Sequence, residues 1–134
     1  MESISIIFAA MLVWLAVIVQ HITNVVLRGV TYVTGDRSMA PPANGFFGRA
    51  TRTLANNVEA AVMYIPSTIL IVLTQKTSAV TYWTAVVYIG VRAFFNISYW
   101  LKIPQIRSYA WLTGMICSAI MAVQAVQGLA GIIR

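Results

Sequence analysis

Four long apolar stretches divide this chain, at about residues 4–27, 47–73, 79–101 and 109–133, and short polar or turn-forming runs separate them. A helix needs roughly 20 apolar residues to cross the hydrocarbon of a bilayer. The pattern therefore predicts four transmembrane helices, each satisfying its own backbone amides. Breakers place the connections. Gly35-Asp36-Arg37 and Pro41-Pro42-Ala43-Asn44-Gly45 mark one longer loop over about 29–45, Lys76-Thr77-Ser78 a tight turn, and Pro104 a short link over 102–108. Pro66 lies inside the second stretch and predicts a kink there. No basic run precedes the first stretch and no small-residue cleavage pattern follows it, so it reads as a retained helix. The expectation is one all-α integral membrane domain over residues 1–134, a four-helix bundle without repeat or linker.

Polar residues interrupt the apolar pattern at helical spacing. Arg49, Arg52, Asn56 and Glu59 follow one another at intervals of three, four and three, which puts them on one face of the second helix. Arg92, Asn96 and Tyr99 do the same on the third, at intervals of four and three. A charge in hydrocarbon costs about 3 kcal/mol or more, so such faces must look onto protein or water. Glu59 lies ten residues beyond Arg49, and Arg92 nine before Leu101. At about 1.5 Å per residue both sit at about the same depth from one membrane face. The two helices thus predict a shared polar cleft with a structural ion pair, Glu59 to Arg92. Arg49, Arg52 and Arg107 add more positive charge than Glu59 neutralises. That surplus predicts an anionic ligand, since a guanidinium stays charged when partly buried and forks onto carboxylate or phosphate.

Composition agrees with the pattern: 60% of residues are hydrophobic and 9% charged, so lipid is the main solvent. The formal net charge of +6 is gathered rather than spread. Arg28, Arg37, Arg49, Arg52, Lys102 and Arg107 lie near the first and third connections, with Lys76 and Arg134 at the opposite ends. The positive-inside rule puts those two connections in the cytoplasm and both termini on the other side. A nucleic-acid partner would need a soluble basic surface, which this distribution does not offer. His21 has no second histidine and no nearby acid, so it reads as an interhelical hydrogen-bonding residue and no metal site is expected. Cys117, the single cysteine, reads as packing. Trp14, Trp83, Trp100 and Trp111 read as interfacial or lipid-facing anchors, and Ala125, Gly128 and Gly131 as small residues for close helix approach.

The segment Gly48-Arg49-Ala50-Thr51-Arg52-Thr53-Leu54-Ala55-Asn56-Asn57-Val58-Glu59 resembles the second-helix signature of the membrane-associated proteins in eicosanoid and glutathione metabolism, the MAPEG family. Residues 92–108, from Arg92-Ala93-Phe94-Phe95-Asn96 to Ile106-Arg107-Ser108, resemble the region joining the family's third and fourth helices, above all in its bacterial members. The resemblance implies a homotrimer in a bacterial inner membrane, with glutathione as co-substrate held near the cytoplasmic side between subunits. It implies Arg52, Asn56 and Glu59 as glutathione-binding positions, Tyr99 as a ring lining the site, and Arg28 as a further match by position. Arg107 matches the arginine that faces the glutathione sulfur, where it would activate the thiolate toward a lipophilic electrophile or a hydroperoxide. Phe95 stands where Tyr or His is expected, and Ala60 where some members carry Tyr. A non-catalytic scaffold or accessory subunit of a larger membrane complex is therefore the alternative. A small multidrug transporter would need a carboxylate within the first helix, and none occurs between Ser3 and Arg28.

Overall fold

The computed structural model describes residues 1–36 and 44–131. Arg37, the Pro41-Pro42-Ala43 turn signal and Arg134 lie outside the described residues. Four long helices form: α1 (Glu2–Arg28), α3 (Gly45–Leu73), α4 (Ala79–Trp100) and α5 (Pro104–Ala130), with a one-turn helix α2 (Val30–Thr34) after the first. Each long helix is apolar and long enough to cross a membrane. α1 packs along α3 and more lightly along α4, while α5 packs along α4 and α3; among the described residues α1 and α5 occupy opposite corners.

The ends of the helices follow local chemistry. Ser78 caps α4 with a reciprocal capping box: its hydroxyl accepts from the Thr81 amide at 3.2 Å, and the Thr81 hydroxyl accepts from the Ser78 amide at 2.8 Å. α3 and α4 both end in a left-handed residue, Gln75 (φ 56°) and Lys102 (φ 64°). At α4 the Lys102 amide bonds Tyr99 O and the Ile103 amide bonds Ser98 O, the Schellman pair that satisfies the last carbonyls. α5 then starts at Pro104, five residues earlier than the hydropathy pattern places it, because proline has no amide to lose at a first helical position. Arg107 is therefore a helical residue rather than part of a loop. α3 runs through Pro66 as one helix.

The interior divides into two halves. Toward the Glu2 end, Tyr64 and Tyr88 stack with ring centroids 3.6 Å apart and 6° between planes. Around them lie Ala9, Ile71, Ala85, Cys117, Met121 and Ala125. The Tyr64 hydroxyl bonds Ser5 Oγ at 2.8 Å, and Thr81 donates to the buried Glu2 carboxylate at 2.5 Å. Toward the other end, Phe95, Tyr99 and Ala110 form a smaller apolar cluster beside a buried polar knot. There Arg92 Nη2 donates to Asn57 Oδ1 at 2.5 Å, and Asn57 Nδ2 donates to Asn96 Oδ1 at 2.7 Å and to Leu12 O at 3.3 Å.

That knot corrects the expected Glu59 to Arg92 ion pair. α3 carries two stripes one residue apart, and Thr53, Asn57, Ala60, Tyr64, Thr68 and Ile71 are the ones turned inward. Successive residues differ by about 100° around a helix. With Asn57 facing α4, Glu59 is carried to the outside, where it is exposed. No acidic side chain pairs with Arg92 among the described residues. The buried acid of the described chain is Glu2, at the other end of the bundle.

Candidate functional site

Three adjoining cavities run down the outer face of α3, α4 and α5. The one nearest the helix ends has a volume of about 450 Å³ and is lined by Arg49, Arg52, Ser98, Tyr99, Lys102 and Arg107 together with Gly45, Ile103 and Pro104. Four cations thus face one cavity. Lys102 is there because the left-handed turn after α4 folds it back beside Tyr99. The amino end of α5 forms another edge, and the positive pole of a helix favours an anion in the same sense as the side chains.

Tyr99 organises this site. Its hydroxyl accepts from Arg52 Nε at 3.2 Å, and the Arg107 guanidinium lies over its ring, 4.8 Å from the centroid. One tyrosine therefore orients two guanidinium groups by different means, a hydrogen bond and a cation–π contact. Behind it, Phe95 meets the Tyr99 ring edge-on at 5.4 Å and supports Arg92 at 4.5 Å from its own centroid. Phe95 is 1% exposed, so it is a packing residue for the two polar neighbours and lacks a polar atom of its own. Arg49 Nε donates to Trp100 O at 3.3 Å, which fixes that arginine against the end of α4.

Tyr99 and Arg107 also line the second cavity, of about 490 Å³, with Asn56, Phe95, Ser108, Trp111 and Leu112. Asn56 and Trp111 in turn line the third, of about 540 Å³, together with Val58, Glu59, Val62, Met63, Arg92 and Met115. The basic end is suited to an anion, and the far end to apolar groups.

The structure therefore brings together Arg49, Arg52, Asn56, Glu59, Tyr99 and Arg107 along one groove, with Arg92 at its base. It does not bring Arg28 there within one chain: this residue ends α1 and stacks over Tyr32 at 4.7 Å. His21 is exposed on α1, without an interhelical hydrogen bond among the described residues. Trp14, Trp83 and Trp111 face outward as expected, whereas Trp100 is half-buried with its Nε1 enclosed and unbonded. Sequence reasoning missed Lys102 and Ser98 as lining residues, and Asn57 as the partner of Arg92. The signal for Asn57 was present: it continues the spacing Thr53, Asn57, Ala60, Tyr64, a second helical stripe beside the first.

The MAPEG family model matches residues 3–127 of the chain. No curated protein and no solved structure matches.

Proposed function

The chain belongs to the MAPEG family, and from that membership and the groove just described we propose that it is a membrane glutathione transferase or peroxidase. The observation that carries the reading is the convergence of Arg49, Arg52, Lys102 and Arg107 on one cavity that continues into an apolar one. Glutathione has two carboxylates, an ammonium and a thiol. Arg49 and Arg52 suit its carboxylates, Glu59 its ammonium, and Arg107 its sulfur.

A thiol near pKa 8.5 is mostly protonated at neutral pH, and the thiolate is the nucleophile. A guanidinium beside the sulfur stabilises the thiolate, with each unit of depression corresponding to about 1.4 kcal/mol. Tyr99 holds Arg107 in place for that task and keeps Arg52 beside it. The thiolate then attacks a lipophilic electrophile, or takes the distal oxygen of a hydroperoxide and releases the alcohol. The third cavity, with Val58, Val62, Met63, Trp111 and Met115 in its wall, suits a lipophilic substrate that arrives from the bilayer.

The groove is open on its outer side, and Arg28 stands on the opposite corner of the bundle. Both facts support a homotrimer in which a neighbouring copy closes the groove and presents its own Arg28 to the anion. The basic end then faces the cytoplasm of a bacterial inner membrane, with both termini on the far side. Calorimetry of glutathione binding to the detergent-purified protein tests the reading, together with the ultraviolet absorbance of bound thiolate. Saturable binding with a thiolate signal is expected. A well-folded protein that binds no glutathione would overturn it and leave a scaffold or accessory subunit.

A further inference from the structure

The Glu2 end of the bundle, opposite the basic cavity, carries chemistry that glutathione binding leaves unused. The amino ends of α1 and α4 meet there, and Glu2 is only 6% exposed at the start of a helix long and apolar enough to cross a membrane. An acid held at such a place calls for a partner. Thr81 on α4 donates to Glu2 Oε1, and the terminal ammonium of Met1 lies 3.2 Å from Oε2. No lysine or arginine side chain pairs with this carboxylate among the described residues. A carboxylate has about four acceptor positions, more than these two donors fill. Glu2 also lines a cavity of about 390 Å³, whose other walls are Thr77, Ser78, Ala79, Tyr82 and Trp83. The Tyr82 and Trp83 rings stand 85° apart with centroids at 5.4 Å. Both side chains are exposed, so the core does not require either ring. Two rings at right angles make two walls of a corner, and the faces of aromatic rings attract a cation. The carboxylate beside them adds a full negative charge, and no cationic side chain lines the cavity to hold an anion.

We propose that this corner binds the ammonium head group of a membrane phospholipid, held by the Tyr82 and Trp83 rings and the Glu2 carboxylate. The lipid source follows from placement. The cavity lies where α4 begins, at the end of a membrane-crossing helix, and Val80, Trp83 and Val87 are all exposed. Their intervals of three and four put them on one stripe of α4, along which an acyl chain can lie. Thr77 and Ser78 add hydroxyls to the same wall, suited to the phosphate ester two carbons from the ammonium. The site stands apart from the basic cavity and does not depend on the binding of glutathione.

The test titrates the full-length detergent-purified protein with phosphatidylethanolamine, phosphatidylcholine and phosphatidylglycerol of identical acyl chains, and reads bound lipid by native mass spectrometry. Phosphatidylglycerol has the phosphate without the ammonium and controls for anion binding at the basic cavity. Trp83→Leu should weaken both ammonium lipids by about 5- to 30-fold, the range of one cation–π contact, and leave phosphatidylglycerol unchanged. Glu2→Gln removes the charge while keeping the shape of the side chain and should have the same selective effect. Since Glu2 is buried, Tyr82→Leu serves as a second variant at an exposed ring, with a loss of the same kind expected. Choline chloride, which lacks acyl chains, should displace neither ammonium lipid at about 10-fold excess. Equal weakening of all three lipids in Trp83→Leu and Tyr82→Leu, or no change in any of them, would overturn the site. Displacement by choline at equal concentration would overturn the lipid as its source.

Discussion

Tyr99 and Asn57 carry the heaviest duties among single residues. Tyr99→Phe removes the hydroxyl that accepts from Arg52 but keeps the ring beneath Arg107. One hydrogen bond is worth about 1 kcal/mol net, so glutathione affinity should fall by roughly 5-fold while the bound thiolate signal persists. Arg107→Ala should do the reverse: binding weakens modestly, but the thiolate absorbance disappears and turnover drops by about 10²- to 10³-fold, the usual cost of one electrostatic stabiliser. Measuring both variants by calorimetry and absorbance separates positioning from activation; a thiolate band that survives Arg107→Ala would remove that residue from its role. Asn57→Ala strips Arg92 of its best acceptor and is expected to cost about 2 kcal/mol or more of stability, since bonds to charged groups contribute about 1.5–3 kcal/mol. Unfolding in detergent reads that loss.

At the scale of elements, the two ends of α4 make separable contributions. Its beginning is held by the Ser78 and Thr81 capping box, far from the basic cavity. Ser78→Ala should therefore lower stability by about 1 kcal/mol and leave glutathione binding untouched. Its other end turns through Lys102 in the left-handed region, where a side chain costs roughly 1 kcal/mol and glycine does not. Lys102→Gly should leave thermal stability unchanged or slightly higher while weakening an anion in the cavity, because it removes one of four cations. A thermal melt and a binding isotherm on the same sample check both halves; lost stability without lost affinity would contradict the account. The Pro104 start of α5 belongs to the same economy of local chemistry. It draws Arg107 onto a rigid helix, which fixes that side chain far better than a loop would.

For the whole molecule, the polar groove and the membrane-crossing helices must share one orientation. Lys102 stands at the basic end of the bundle and Lys76 at the other, in the turn between α3 and α4. Cys117 is buried, so the native chain should resist a membrane-impermeant thiol reagent. Lys102→Cys should react from the cytoplasmic side alone and Lys76→Cys from the opposite side alone; labelling of both from one side would reverse or break the topology. The same bundle explains why a site can be built in such a small chain. α1 serves as backing for α3, and α3, α4 and α5 together supply the groove.

The apolar periods determined the four spanning helices, because the bilayer leaves a backbone few ways to satisfy its amides. The Arg49, Arg52, Asn56, Glu59 stripe and the depth of Arg92 were equally legible, since helical spacing maps directly onto a face. The membership of the family, too, lay in two segments of sequence. Tertiary structure decided the rest. Rotation of α3 about its axis is set by how Thr53, Asn57, Ala60 and Tyr64 pack, and no single helix reveals that angle. It chose Asn57 over Glu59 as the partner of Arg92, and so changed an expected ion pair into a cation held by neutral acceptors. The turn at Lys102 and the corner at Glu2 are likewise products of two helices meeting. Spacing along one chain fixes which residues share a face, but only packing fixes what that face meets.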